Sequence, residues 1–228
     1  MIWQLVVSFT DVAAVTLPSP GLVARSLIDH HAILMADTVV TLAETVYGFA
    51  IAAVVGLLVA LVLTASKTIE KIVYPLLVIS QAVPKVAVAP VFLVWFGFGM
   101  QVNVLTAAIL AVFPIIVNGV LGFQETSNDY LALGRVMGAN KLRLLWRIRL
   151  PAAMPSIFAG LKLGITFATV GAVVGEMVAG QEGLGYRVQF SSGQLDTPMV
   201  FAALVLLSAA GVALFYVLVG LEKLVVRR

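Results

Sequence analysis

The composition of this 228-residue chain, with a formal net charge of +3, excludes an ordinary soluble domain. Hydrophobic residues make up 61% of it and charged residues only 11%, whereas soluble domains carry about a quarter charged residues. We therefore expect one integral membrane domain over residues 1–228. The lack of cysteine excludes disulfides and thiolate metal sites, and two histidines, His30 and His31, are too few for a metal site.

The N-terminal segment does not predict a clear membrane span. Residues 2–17 are few and are interrupted by Asp11, so we expect the tail of a spanning helix or an interfacial segment. No basic region and no cleavage site occur there, so we expect no cleaved signal peptide. Residues 18–37 then predict an amphipathic helix at the membrane surface.

Four later stretches reach the length of about 20 apolar residues that a helix needs to cross a bilayer. They are residues 39–63, 102–123, 155–179 and 198–221. A fifth, residues 72–96, is long enough but contains Pro75, Pro84 and Pro90, each of which removes a backbone donor. We expect this broken span to face the bundle interior or a cavity, where its freed carbonyls find partners. The prediction is an all-α, polytopic bundle of five core spans, with a possible short or truncated N-terminal sixth.

The connecting segments differ in positive charge, which predicts the orientation. Residues 64–71 form a short polar loop and residues 97–101 a tight turn. Ten lysines and arginines lie in residues 64–71, in residues 124–150 and after the last span, all on one side of the membrane. The opposite loops carry only Arg25 and Arg187. Because positive loops stay in the cytoplasm, we expect a cytoplasmic C-terminus, with residues 18–37 and 180–197 outside.

The only long polar segment between spans, residues 124–150, predicts two short helices that meet at Gly138. Asn140 can cap the second helix, and we expect Pro151 and Pro155 to end it and to begin the next span. The predicted apolar face of that second helix consists of Leu142, Leu145 and Trp146. This face requires either a protein partner or, as the alternative, an anionic lipid surface beneath the basic residues.

The same segment resembles the cytoplasmic signature of type I ABC-importer permeases. The signature reads Glu-Ala-Ala, three residues, Gly, nine residues, Ile, one residue, Leu-Pro; Gly138, Ile148, Leu150 and Pro151 fall at its later positions, and residues 132–134 are Ala-Leu-Gly. Three further stretches resemble permeases for nitrate, sulfonate, taurine and pyrimidine-type substrates. These are LPSP at 17–20, QAVPKVAVAPVFLVWFGFG at 81–99 and GEMVAGQEGLGY at 175–186. The family has a span before a Trp-Gln pair like Trp3-Gln4, so the first span looks truncated or absent.

The resemblance implies a transport subunit of the prokaryotic plasma (inner) membrane that catalyses no reaction. Two permease copies, expected to be a homodimer, would form the pore, and an extracytoplasmic binding protein would deliver a small polar or anionic solute. A separate ABC ATPase dimer would bind ATP and Mg²⁺; this chain has no phosphate-binding GxxxxGK[ST] motif, no cofactor and no expected nucleic-acid partner. We call the segment of about residues 124–151 the coupling loop, and the resemblance implies that it docks on that ATPase. The expected coupling residues are Leu133, Gly134, Arg135, Gly138, Ala139, Arg143, Ile148 and Pro151.

Charged and polar residues inside the spans are candidates for the translocation pathway. Lys85 lies within the broken span, where it attracts an anionic solute, pairs with Glu44 or Glu176, or snorkels to the headgroups. Gln81 lies four residues earlier and would share its helical face. We expect Glu44 and Glu176 to be hydrated at the outer ends of their spans, although either could line an outer gate. The pathway candidates are Gln81, Pro84, Lys85 and Glu176.

Small residues at every fourth position of the stretch 155–179 predict close helix packing, within the chain or against a second copy. They are Gly160, Gly164, Ala168 and Ala172. Three other classes of protein were weighed. A secondary transporter working alone would carry more buried charge and internal repeats. A membrane enzyme would cluster His, Asp or Glu at one depth, and a structural subunit would not need a proline-broken span.

Overall fold

The computed structural model describes residues 3, 16–126, 134 and 136–226, and this part of the chain is helical, with no strand in it. The predicted segment 2–17 falls almost wholly outside these residues. Two short 3₁₀ turns, Ser80–Ala82 and Lys85–Val88, and one π-helical turn, Leu145–Arg149, lie between α-helices. In chain order the α-helices are α1 (Pro20–Asp29), α2 (His31–Ala65), α3 (Lys67–Ile79), α4 (Ala89–Phe96), α5 (Met100–Gln124), α6 (Lys141–Leu144), α7 (Leu150–Ala179), α8 (Leu184–Gly193) and α9 (Thr197–Val225).

Four of these helices are long and apolar enough to cross a bilayer, and they contain the four clear stretches predicted from the sequence. They are His31–Ala65, Met100–Gln124, Leu142–Ala179 and Thr197–Val225. The proline-rich stretch is a fifth candidate, made of two helical segments, Lys71–Ala82 and Lys85–Phe96, that meet at an angle of 81°. The break falls at Pro84, which has no amide hydrogen to donate and follows the extended residue Val83.

The core of the bundle is built around α5, which packs against α2 on one side and α7 on the other. Small residues allow these close contacts. A Cβ atom added to Gly164 would lie 2.7 Å from Cδ1 of Ile115, and one added to Gly171 would lie 2.6 Å from Cα of Ala107. The small-residue face of α7 is therefore used for packing within this chain, which was one of the two predicted alternatives.

Three segments predicted as loops or surface structure contain more helix than expected. Residues 64–71 are not a polar loop, because α2 continues to Ala65 and Ser66 caps α3 by accepting a hydrogen bond from the Ile69 amide. Residues 180–197 contain α8. The surface helix predicted over residues 18–37 ends at Asp29, and the spanning helix α2 already begins at His31. Of the helices that begin in these segments, α3 has a side-chain cap, whereas α2 and α8 begin without one.

The prediction that Pro151 and Pro155 end one helix and begin another is wrong. Helix continues from Lys141 to Ala179 through the π-helical turn, in which the Leu150 amide donates to the Leu145 carbonyl. This wider turn directly precedes Pro151, where the proline ring would clash with the preceding turn of a regular α-helix. Both prolines are also exposed. The coupling loop is thus joined to a membrane span without a break in the helix.

Candidate functional site

The bend of the coupling loop is at Gly138, as predicted. Gly138 has a φ of +79°, a conformation that favours glycine, and the Ala139 amide donates to the Gly134 carbonyl at 2.9 Å. Asn140 caps the following helix, since its Oδ1 accepts from the Arg143 amide at 2.8 Å. The bend before the helix that begins at Lys141 is therefore fixed by local backbone and side-chain bonds.

The two arms of the coupling loop pack together at Gly134, which is buried. A Cβ atom added there would collide with Cδ2 of Leu144 and would lie 3.2 Å from Cδ1 of Ile148. Leu144 is itself buried. The inward face of the second arm is therefore Leu144 and Ile148, which are four residues apart. Of the predicted apolar face, Leu142 and Trp146 are exposed and Leu145 is half-buried.

Four other large apolar side chains of the coupling loop are exposed. We define the apolar docking face as Val136, Met137, Leu142 and Trp146, whose exposed fractions are 86%, 77%, 63% and 61%. Arg143 and Arg147 are exposed on the same arm. Large apolar side chains grouped in this way on a polar loop are typical of a protein interaction site.

The predicted coupling residues divide into three groups. Leu133 and Arg135 lie outside the described residues. Pro151 is exposed on the continuous helix that leads into the membrane span. The remaining five lie in the two-armed unit: Gly134, Gly138, Ala139, Arg143 and Ile148.

The broken span separates two residues that were predicted to share a helical face. Val83 and Pro84 are extended, so Gln81 and Lys85 do not lie on one continuous helix. Lys85 lines a cavity of about 290 Å³ with Ser80 and Val83, and Gln81 does not line it. The Lys85 Nζ atom lies 4.4 Å from the centre of the Phe113 ring, and it pairs with neither Glu44 nor Glu176.

The break is also less covered than predicted. Gln81 and Pro84 are exposed, whereas α3 packs on the bundle through Val73, Tyr74 and Leu77. Ala89, at the start of α4, is the point at which the chain becomes buried again. The broken span therefore borders a cavity but does not face the interior of this chain's own bundle.

A buried polar cluster at one end of the bundle was missed by the sequence analysis. Glu44 and Glu176 are each only 1% exposed, so the expectation of hydrated carboxylates is wrong. Asn103 Nδ2 donates to Glu44 Oε1 at 2.9 Å, and the Gly185 amide donates to Glu176 Oε2. The signal was available in α2, where polar residues 37, 41 and 44 follow helical spacing.

This cluster attaches the turn before α8 to α2. Arg187 Nε lies 2.7 Å from Asp37 Oδ2, and the Gly183 amide donates to Asp37 Oδ1 at 3.1 Å. The Leu184 amide donates to Thr41 Oγ1 at 2.9 Å. Gly183 has a φ of +101°, so the turn needs glycine. The segment that seemed to be an open loop is held by several buried bonds.

A further, partly buried ion pair joins two of the long helices. Lys162 Nζ lies 2.9 Å from Glu222 Oε2 and connects α7 to α9. No group of three or more His, Cys, Asp or Glu residues in the described part of the chain could hold a metal ion.

Comparison with known proteins agrees with this fold. Residues 52–228 match the family model described as the binding-protein-dependent transport system inner membrane component. A probable ABC transporter permease protein of Haemophilus influenzae is 36% identical over 216 residues, which cover 95% of this chain and 88% of that protein. The riboflavin transport system permease protein RibX of Chloroflexus aurantiacus is 38% identical over 228 residues, covering 99% and 85%.

A third relative and a solved structure extend the comparison. The formylaminopyrimidine transport permease protein ThiX of Halalkalibacterium halodurans is 37% identical over 209 residues, covering 91% of this chain and 84% of that protein. An inward-facing structure of the MetNI methionine ABC transporter matches with a TM-score of 0.72 at 20% identity, covering 87% of this chain and 97% of that chain. The similarity to the MetNI structure concerns the fold alone.

The helical fold and these matches define a multi-pass membrane transport subunit. The chain belongs to the family of binding-protein-dependent transport system inner membrane components. It is the permease component of an ABC importer for a small solute, and it is not an enzyme, because ATP hydrolysis belongs to a separate subunit.

Proposed function

We propose that this permease receives force from its ATPase through the apolar docking face and passes that force to the membrane through α7. The observation that carries the proposal is the unbroken helix from Lys141 to Ala179, with exposed Leu142 and Trp146 near its start. An apolar surface on a polar loop gains stability when a protein groove covers it. The separate subunit would bind ATP and Mg²⁺.

A stiff connection supports this role. The second arm of the coupling loop is held to Gly134 by Leu144 and Ile148, so the two arms move as one body. The helix then enters the core, where α7 packs closely on α5. A displacement of the docking face therefore changes the position of α7 instead of being absorbed in a flexible linker.

The translocation pathway is proposed to pass along the broken span. The extended residues Val83 and Pro84 interrupt the helical hydrogen bonding, and any peptide group left unpaired there cannot face lipid, because it would cost several kcal/mol in hydrocarbon. Since this chain leaves Gln81 and Pro84 exposed, a second permease copy would cover the break and enclose a hydrated path. Lys85 would then present a positive charge to a small polar or anionic solute.

The distribution of charge supports an orientation in a prokaryotic inner membrane. Lys71, Arg143 and Arg147 are exposed, and Lys223 lies in the last turn of α9. Placing these positive residues in the cytoplasm puts the C-terminus there as well. The turn before α8 would then face the extracytoplasmic binding protein.

Docking can be tested by exchanging apolar residues for aspartate. Met137→Asp and Leu142→Asp should lower the amount of ABC ATPase that co-purifies with the tagged permease by tenfold or more, which corresponds to about 1.4 kcal/mol. Charge reversal by Arg143→Glu tests the basic part of the same arm. The comparison requires permease variants that reach the membrane in equal amounts.

Ile28→Asp is the matched control, because Ile28 is an equally exposed apolar residue on α1, away from the coupling loop. It should leave the retained ATPase unchanged. Full retention in both the Met137→Asp and the Leu142→Asp variants would overturn the docking proposal.

A further inference from the structure

Two buried carboxyl groups from different helices face each other in the polar cluster. Glu44 of α2 and Glu176 of α7 are within hydrogen-bonding reach of one another. Each has one oxygen that accepts a hydrogen bond, from Asn103 and from the Gly185 amide respectively. The other two oxygens, Glu44 Oε2 and Glu176 Oε1, are buried and have no hydrogen-bond donor among the described residues.

The charges around this pair do not neutralise it. Arg187 from α8 is bound to Asp37 of α2, and Glu182 in the turn before α8 adds a further negative charge. Among the described residues, neither Glu44 nor Glu176 has an ion-pair partner. Two ionised carboxylates in contact and out of water would repel each other strongly.

We propose that Glu44 and Glu176 share one proton and together act as a positioning pair for the turn before α8. The hydroxyl group of one carboxyl donates to the facing oxygen of the other, so the two oxygens without donors satisfy each other. One negative charge is left on the pair, and it is stabilised by the donors Asn103 Nδ2 and the Gly185 amide.

The glycines of the turn fit this role. A Cβ atom added to Gly185 would lie 2.8 Å from Glu176 Oε2, and one added to Gly183 would collide with the same carboxyl group. The carboxyl of Glu176 therefore lies directly against the backbone of the turn. The pair links α2, α5, α7 and the turn, and this role does not depend on which side of the membrane the turn faces.

The glutamine variant Glu44→Gln separates a shared proton from other arrangements. Its amide oxygen can still accept from Asn103, and its NH₂ group can donate to Glu176 in place of the shared proton. The full-length Glu44→Gln variant in nanodiscs should melt within about 2 °C of wild type at pH 6. Glu44→Ala, which leaves Glu176 without a partner, should melt several degrees lower. If Glu44→Ala does not fold, the glutamine variant alone still decides the outcome.

The pH profile gives the second readout. The folded chain keeps the shared proton after the unfolded chain has released it, so the stability of wild type should fall relative to that of Glu44→Gln as pH rises above the ordinary range of a free carboxyl group. All other titratable groups are common to both proteins, so the difference isolates the pair. Asp37, Glu182 and Arg187, which surround the pair, are unchanged in the variant.

Two results would overturn the proposal. If Glu44→Gln is more stable than wild type by the same amount at every pH, both carboxylates are ionised throughout. If it is much less stable at every pH, and wild type is destabilised by EDTA or by replacing Na⁺ with choline, a cation and not a proton joins the two groups.

Discussion

Glycine residues determine how closely α7 approaches the central helix α5. The position of Gly171 is the clearest case, because a Cβ atom there would lie 2.6 Å from Cα of Ala107 and 2.7 Å from the carbonyl oxygen of Thr106. Both neighbours are backbone atoms, which cannot rotate away as a side chain can. The packing of this interface therefore depends on the absence of a single methyl group.

Gly171→Ala should force α7 and α5 apart and destabilise the protein by roughly 1–3 kcal/mol, the usual cost of overpacking a core. Thermal unfolding of the purified full-length chain measures this change. Gly220→Ala is the control, because Gly220 also lies within a long helix but a Cβ atom there meets nothing within 4 Å. The control should be neutral or slightly stabilising, since alanine favours helix. Equal unfolding of the two variants and wild type would contradict the packing argument.

At the scale of the elements, the coupling loop combines a glycine bend with a helix that continues through proline. Its geometry depends on Gly138, whose positive φ is costly for residues with a Cβ atom, while the space around it is open. The bend is therefore a backbone requirement and not a packing one. The π-helical turn beyond it keeps the second arm joined to α7.

Gly138→Ala should destabilise the bend by roughly 1–2 kcal/mol without creating a steric clash. Gly138→Asn should cost less, because asparagine tolerates this conformation better. Hydrogen exchange of the Ala139 and Leu144 amides, both bonded across or just after the bend, measures the effect. Protection that is unchanged in the alanine variant would mean that the bend does not depend on glycine.

Hydropathy predicted the long membrane-spanning helices, and it did not predict the features that depend on local hydrogen bonds. The four clear spans were placed because long apolar stretches have few other solutions. The three prolines predicted a broken span without showing that the break lies at Pro84 and not at Pro75, which lies inside α3. The continuation of helix through Pro151 was not predictable, because a π-helical turn has no simple sequence pattern. The Glu44–Glu176 contact joins residues far apart in the chain, and single-sequence periodicity carries no information on such pairs.

At the scale of the whole molecule, the proposed docking face and the proposed pathway lie in different parts of the chain. The docking face belongs to the coupling loop, whereas Lys85 lies at the break in a different span. The two regions are connected through α7, which packs on α5, and through α5, which carries the Phe113 ring beside Lys85. Coupled transport requires that events at the first region change access to the second.

The chain has no cysteine, so Lys85→Cys creates its single thiol and allows a direct measurement of that coupling. In membranes that contain the complete importer, the rate at which a water-soluble thiol reagent labels residue 85 should change about fivefold or more when ATP is trapped with vanadate. Adding Met137→Asp on the docking face should abolish that response to ATP while leaving the labelling itself intact. A labelling rate that does not change with ATP, or that still changes with ATP in the Met137→Asp variant, would contradict the account.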